Sequence, residues 1–165
     1  MYILFLLFPL ICGANVPRVF KESFDLHNSY RLLHHVAPLK WNTELANRAQ
    51  EWADIINLSN TFTNGMLTDS KNRTLGQNIG ATFLLGHQDL SQSAVDVVNI
   101  WYSEKINYDY TDPQFSLASQ HFTQMIWNNT QYIGFGISNT GPRTIIVANY
   151  FPPGNIKNEF ESNVF

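Results

Sequence analysis

Apolar residues recur along the chain in two periods, and the switches between them mark out the elements. Val19, Leu26, Tyr30 and Leu33 fall at helical spacing, which predicts a first helix over about residues 19–35. Pro38 ends it. Leu39-Lys40-Trp41-Asn42 reads as extended, with Asn42 or Thr43 capping a second helix. There Leu45, Ala49, Trp52 and Ile56 repeat at intervals of 4, 3 and 4 residues, one amphipathic face. Residues 57–75 are polar and loop-like, and a short strand is expected into Phe83-Leu84-Leu85. Asp89-Leu90-Ser91 offers caps for a third helix, whose buried face is Ala94, Val97, Val98 and Trp101. A loop rich in Tyr and Asp follows, from Asn107 to Pro113. His121 to Trp127 then reads as a short apolar helix ending near Asn128, with His121 and Met125 on one face. The period changes to two at Tyr132-Ile133-Gly134-Phe135-Gly136-Ile137. This strand turns at Asn139-Thr140-Gly141-Pro142 and returns through Thr144 to Tyr150 as a hairpin, ended by Pro152-Pro153-Gly154.

The first fourteen residues stand apart from this pattern. Ile3 to Ile11 is an apolar run broken by Pro9, and Cys12-Gly13-Ala14 supplies small residues for cleavage. The run is short of the ~20 residues that span a bilayer. It reads as a secretory signal peptide, residues 1–14, which leaves residues 15–165 as a single domain with no transmembrane segment. That assignment makes the protein secreted and extracellular. It also removes Cys12, the one cysteine of the chain, so the mature domain is expected to be free of disulfides. A domain of this size buries enough surface to fold without them. The net charge of −3 gives no electrostatic footprint for nucleic acid or an anionic membrane. The 12 Phe, 7 Tyr and 4 Trp suit a packed core.

Several stretches carry a family resemblance. His121-Phe-Thr-Gln-Met-Ile-Trp127 with Asn-Asn-Thr130 resembles the first signature of the CAP superfamily, which includes the cysteine-rich secretory proteins, antigen 5 and the plant pathogenesis-related proteins. Ile145-Ile-Val-Ala-Asn-Tyr-Phe-Pro-Pro-Gly-Asn-Ile156 resembles the second, with Ala148 in place of the usual cysteine. Gln120 departs from the residues the family usually has before the histidine. Leu26-His-Asn-Ser-Tyr-Arg31 is similar to the family's first-helix motif, and Gly76-Gln77-Asn78 to its Gly-Glu-Asn motif with Gln for Glu. The lack of cysteine and the segment Trp101–Tyr108 are most similar to the Golgi-associated branch. The resemblance implies an α/β fold, the three-layer α-β-α sandwich. It also implies a binding protein that is not an enzyme, whose ligand is a sterol, a fatty acid or a protein surface, including a second copy of the chain.

The resemblance further implies a central cavity built from two His and two acidic residues, which binds zinc in several members. Position by position, His121 matches one histidine, Glu104 one acid and Gln77 the other acidic position. The remaining histidine belongs in the loop before Gly76, where residues 58–75 contain none. Zinc sites take three or four N, O or S ligands, so His121 is at most part of a metal site and no tight zinc cofactor is expected. His87 could swing in from a loop, but nothing in its spacing requires it. A hydrogen-bonded Glu104–His121 pair that orients the cavity wall is the expectation from the residues. The alternative is a metal-assisted hydrolase using Glu104 and His121. No Gly-x-Ser-x-Gly elbow is present, and Ser103 does not face its neighbour Glu104 on a helix.

Elsewhere, His27 is expected to be structural, and Asn28 and Arg31 to tie down neighbouring backbone. His34 and His35 close the first helix, where a partly positive imidazole would favour the carboxyl end of the dipole. Three Asn-x-Ser/Thr triplets, at Asn57, Asn72 and Asn128, are candidate glycosylation sites on a secreted chain. Asn72, in the polar loop, is the favoured one.

Overall fold

The computed structural model describes residues 16–59, 61–83 and 89–165. The apolar amino-terminal segment with Cys12, the pair Leu84-Leu85 and His87 lie outside the described residues.

The elements follow the apolar periods, with edges set by local hydrogen bonds. A 3-10 turn at Arg18–Phe20 leads into α1, Lys21–Leu33. The expected single helix over 19–35 is therefore split at its start, and it stops two residues early because His35 adopts φ 57°. β1 is Lys40–Trp41, and α2, Thr43–Ser59, is capped by Asn42, whose Oδ1 accepts from the Leu45 N–H at 3.0 Å. β2 runs from Gly76 to Phe83, so the Gly-Gln-Asn motif lies in the strand itself. Asp89 caps α3, Leu90–Ser103, by accepting from the N–H groups of Ser91 and Gln92. After a 3-10 turn at Glu104–Asn107 come α4, Gln120–Ile126, then β3, Tyr132–Thr140, and β4, Arg143–Phe151. Only Gly141 and Pro142 separate the last two strands, a tighter turn than the four residues expected. A short α5, Phe160–Asn163, follows; it has too few residues to show a period in sequence.

The sheet order is β1-β3-β4-β2, with β1 parallel to β3 and the other pairs antiparallel. Alternation along β4 builds the two halves of the core. Ile145 and Val147 face α2 with Ala49, Ala53, Ile56 and Ile79. Ile146, Ala148 and Tyr150 face the other way, with Phe24 of α1, Val97 and Trp101 of α3, and Phe122 and Met125 of α4. The result is a three-layer α-β-α sandwich. Gly134 and Gly136 are what let α2 lie directly on β3. A Cβ on Gly134 would stand 2.1 Å from the Ala46 N, and one on Gly136 2.2 Å from the Gln50 N.

Arg31 ties α1 to α4 and to the segment that leads into β3. Its buried guanidinium donates to the carbonyls of Ala37, Met125, Trp127 and Thr130 at 2.7–3.1 Å. Asn28 brackets Leu39, donating to its carbonyl and accepting from its N–H. The expectation of backbone ties at these two residues is met. That of a charged His34 is not: burial, first of all, lowers its pKa. Its Nε2 lies 3.2 Å from the Tyr102 hydroxyl and its Nδ1 3.2 Å from the Phe165 carbonyl.

Candidate functional site

Glu104 leaves α3 in a 3-10 turn and reaches over the amino terminus of α4. Its Oε1 lies 2.6 Å from the His121 Nδ1. Its Oε2 accepts from the backbone N–H of His121 at 2.9 Å and of Phe122 at 3.3 Å. First-turn N–H groups have no partner within their own helix, and a negative charge there complements the dipole. A carboxylate from another element thus caps α4. Ser119, at the cap position, makes no such bond, and its buried hydroxyl has no hydrogen-bond partner among the described residues.

The imidazole of His121 stacks on Trp101, with centroids 6.1 Å apart and planes 20° from parallel. Asn78 holds the backbone beneath it, donating to the His121 carbonyl at 3.0 Å and to the Tyr150 hydroxyl at 3.3 Å. That hydroxyl is also 3.2 Å from the Nε2 of the fully buried His27. Burial first, then the Arg31 charge, lowers the His27 pKa to about 3, so this histidine is neutral. Burial likewise raises the Tyr150 pKa. The polar chain His121–Asn78–Tyr150–His27 is therefore uncharged below its first member. The side chains of His121 and Glu104 are 25% and 20% exposed, so the pair is open to solvent at its outer edge. With Nδ1 against the carboxylate, Nε2 is the ring nitrogen left without a partner among the described residues.

The third expected cavity residue is not part of this cluster. Gln77 is paired across the ladder with Asn149, on the α2 face, whereas its neighbour Asn78 points to the His121 side. Its Nε2 donates to the Gly65 carbonyl at 2.8 Å and the Asn149 Oδ1 at 2.9 Å, and its Oε1 accepts from the Gly65 N–H at 3.1 Å. Gln77 fastens the 64–65 loop to the sheet. Among the described residues no three His, Cys, Asp or Glu side chains converge. One imidazole nitrogen and a carboxylate whose two oxygens are already engaged do not fit a zinc site. Ser103 offers no nucleophile to His121, since its hydroxyl turns back to the Ile100 carbonyl at 2.7 Å. The residues that sequence reasoning missed are Asn78 and Asn155. Asn155 donates to the Gln120 carbonyl at 2.9 Å and accepts from the Thr123 hydroxyl at 2.6 Å, and so fixes α4 from its other side. Asn78 lies within the Gly-Gln-Asn motif, so a signal was present there.

The three glycosylation candidates differ in access. Asn72 is exposed, at φ 60°. Asn57 is buried in the folded chain, and its amide is spent on Ser138, Thr140 and Arg143. Asn128 is exposed, although Thr130 of its triplet is buried with its hydroxyl on the Pro152 carbonyl.

A second feature lies beside α4. An open hollow of about 480 Å³ is bounded by Pro113, Gln114 and Phe115 on one wall and by Asn155, Lys157, Asn158 and Phe160 on the other. The stretch carrying the first wall also exposes Ile106, Tyr110, Phe115 and Leu117. No helix among the described residues is long and apolar enough to cross a membrane.

Comparison with known proteins follows the fold. The chain is 36% identical over 146 residues to human Golgi-associated plant pathogenesis-related protein 1, covering 87% of this chain and 90% of that protein. It is 31% identical over 132 residues to Venom allergen 5 of Microctonus hyperodae, covering 73% of this chain but 54% of that protein. Its fold is similar to that of the Schistosoma mansoni venom allergen-like protein 4, with a TM-score of 0.70 at 22% identity, covering 86% of this chain and 92% of that one. Residues 24–150 match the family described as CAP, the cysteine-rich secretory protein family. With both signature segments, the α-β-α layers and this match in agreement, the chain belongs to the CAP family.

Proposed function

We propose that the protein is a secreted CAP-domain binding protein, not an enzyme, with a sterol or a fatty acid as its ligand. The observation that carries this reading is the use to which Glu104 is put. Both of its oxygens are engaged, one on His121 and one on the first turn of α4, which suits a brace rather than an acid or base awaiting substrate. The open hollow beside α4, with an exposed apolar stretch along it, supports binding of an apolar ligand. The apolar run and small residues at positions 1–14 support secretion, as does the likeness to a venom protein.

The test is binding of labelled cholesterol and of a labelled long-chain fatty acid to residues 15–165 secreted from eukaryotic cells. Saturable one-to-one binding of either supports the reading, and binding of neither sinks it. The metal-assisted hydrolase is tested separately, by dialysis against trace zinc and metal analysis. One zinc per chain, lost in His121→Ala, would restore it.

A further inference from the structure

Two tyrosines from different helices meet face to face. The rings of Tyr30 on α1 and Tyr102 on α3 have centroids 3.6 Å apart and planes 8° from parallel. Aromatic pairs ordinarily settle offset or edge-on, with centroids about 4.5–7 Å apart. Direct overlap sets one electron-rich face against another, so packing alone does not favour it. Both residues are half-buried, and the Tyr30 hydroxyl donates to the Asn99 Oδ1 at 2.5 Å on the exposed side of the pair.

The Tyr102 hydroxyl has a base beside it. The Phe165 oxygen can only accept, so the His34 Nδ1 that faces it at 3.2 Å carries the N–H of the ring. Burial keeps that imidazole neutral. Its Nε2 therefore presents a lone pair, and the Tyr102 hydroxyl, 3.2 Å away, donates to it. The Lys105 ammonium lies 5.8 Å from the centre of the Tyr102 ring. A positive charge there opposes loss of an electron alone. Loss of the electron together with the proton, which passes to the His34 Nε2, keeps the ring neutral as a phenoxyl radical. Tyr108 and Tyr110, the other tyrosine pair in ring contact among the described residues, differ on both counts. Their planes stand 89° apart with centroids at 4.8 Å, and the buried Tyr108 hydroxyl has no hydrogen-bond partner among the described residues to take its proton.

We propose that Tyr30 and Tyr102 are a redox-active pair, which a haem peroxidase with hydrogen peroxide couples into a carbon–carbon bond between α1 and α3. Each phenol gives up one electron and one proton. The two unpaired electrons then pair as a bond between ring carbons ortho to the oxygens. Radical carbons join through their π faces, the direction in which the stack already presents them. The hydrogen on each joined carbon moves to the oxygen of its own ring, which restores both aromatic systems. The two electrons and two protons reduce one hydrogen peroxide to two waters. The product fastens two helices covalently in a chain whose one cysteine allows no disulfide within it. The coupling depends neither on the ligand nor on secretion.

The experiment is treatment of the purified protein with a haem peroxidase and hydrogen peroxide, followed by peptide mapping of the band that stays monomeric. The expected product is a linked peptide pair containing Tyr30 and Tyr102, two hydrogens lighter than its parts, with dityrosine fluorescence. The linked chain should melt at a higher temperature, with or without a reducing agent. Tyr30→Phe and Tyr102→Phe should each abolish the product, and Tyr110→Phe should leave it. His34→Gln, which can hydrogen-bond but takes up no proton, should slow its formation about tenfold without changing its identity. Mapping on the unaltered chain needs no variant to fold. The proposal is overturned if the monomer carries no Tyr30–Tyr102 link while free tyrosine in the same reaction is coupled. It is equally overturned if links form only between chains or map to Tyr108 and Tyr110.

Discussion

At the scale of single residues, the side chains that matter most are amides and neutral imidazoles. Gln77 donates twice and accepts at least once within the 64–65 loop and Asn149. A carboxylate can only accept, so Gln77→Glu would set its oxygens against the Gly65 carbonyl and the Asn149 Oδ1. That substitution is expected to cost about 1–3 kcal/mol, read as a lower urea midpoint. His27 gives a pH dependence of known sign. The unfolded imidazole protonates near 6.5 and the folded one only near about 3. Between those values the unfolded chain binds more protons, so this contribution is whole above pH 6.5 and is lost as the pH falls towards 3. His34, also lowered by burial and faced by Lys105 and His35, acts in the same direction. Melting temperatures should fall between pH 7 and pH 4, by the equivalent of on the order of 4 kcal/mol at the limit, and His27→Gln should flatten the slope. Asn42 and Asp89 were legible as caps because each serves the first turn of its own helix, and Asn28 and Arg31 as backbone ties through the first-helix motif, although three of the four Arg31 partners lie more than 90 residues away. Gln77 was not, because its role depends on which face of β2 it occupies. A step of one residue along a strand reverses that face.

At the scale of elements, two contacts decide whether α2 and α4 sit where the sheet needs them. A Cβ at Gly136 would meet the α2 backbone at 2.2–2.5 Å, and main chain cannot turn aside as a side chain can. Gly136→Ala is expected to cost about 3 kcal/mol in a thermal melt, since β3 and α2 must separate. α4 depends on a cap supplied from the α3 end. Glu104→Ala should speed hydrogen exchange at the amides of His121 and Phe122 and cost about 1–2 kcal/mol. No change in those exchange rates would show that the carboxylate is not the cap. The elements themselves were well marked in sequence where a period runs for several turns, as in α2 and α3, or alternates between two turn signals, as in β3 and β4. The Glu104–His121 pair was legible through its motifs. The clamp from Asn155 was not, although Asn155 lies within the second signature segment, because its partner Gln120 is 35 residues away and no period links the two.

At the scale of the whole molecule, stability comes from packing across three layers. The chain has one cysteine, so no disulfide can form within it, and a reducing agent should leave the melting temperature of residues 15–165 unchanged. A downward shift would mean that the protein tested retains Cys12 and is linked through it to a second chain. Within one helical layer, Arg31 spans from α1 to the corner between α4 and β3 and touches only carbonyl oxygens there. Carbonyls are the same whatever the side chain. The corner is also gripped from outside through main chain, where Asn163 takes the N–H groups of Asn128 and Asn129. The outward side chains of Asn128, Asn129 and Gln131 are therefore spectators to their own anchorage. The surface over this doubly held bend can change its chemistry freely, and a label or a sugar placed there would move with the body of the protein as if on a rigid post.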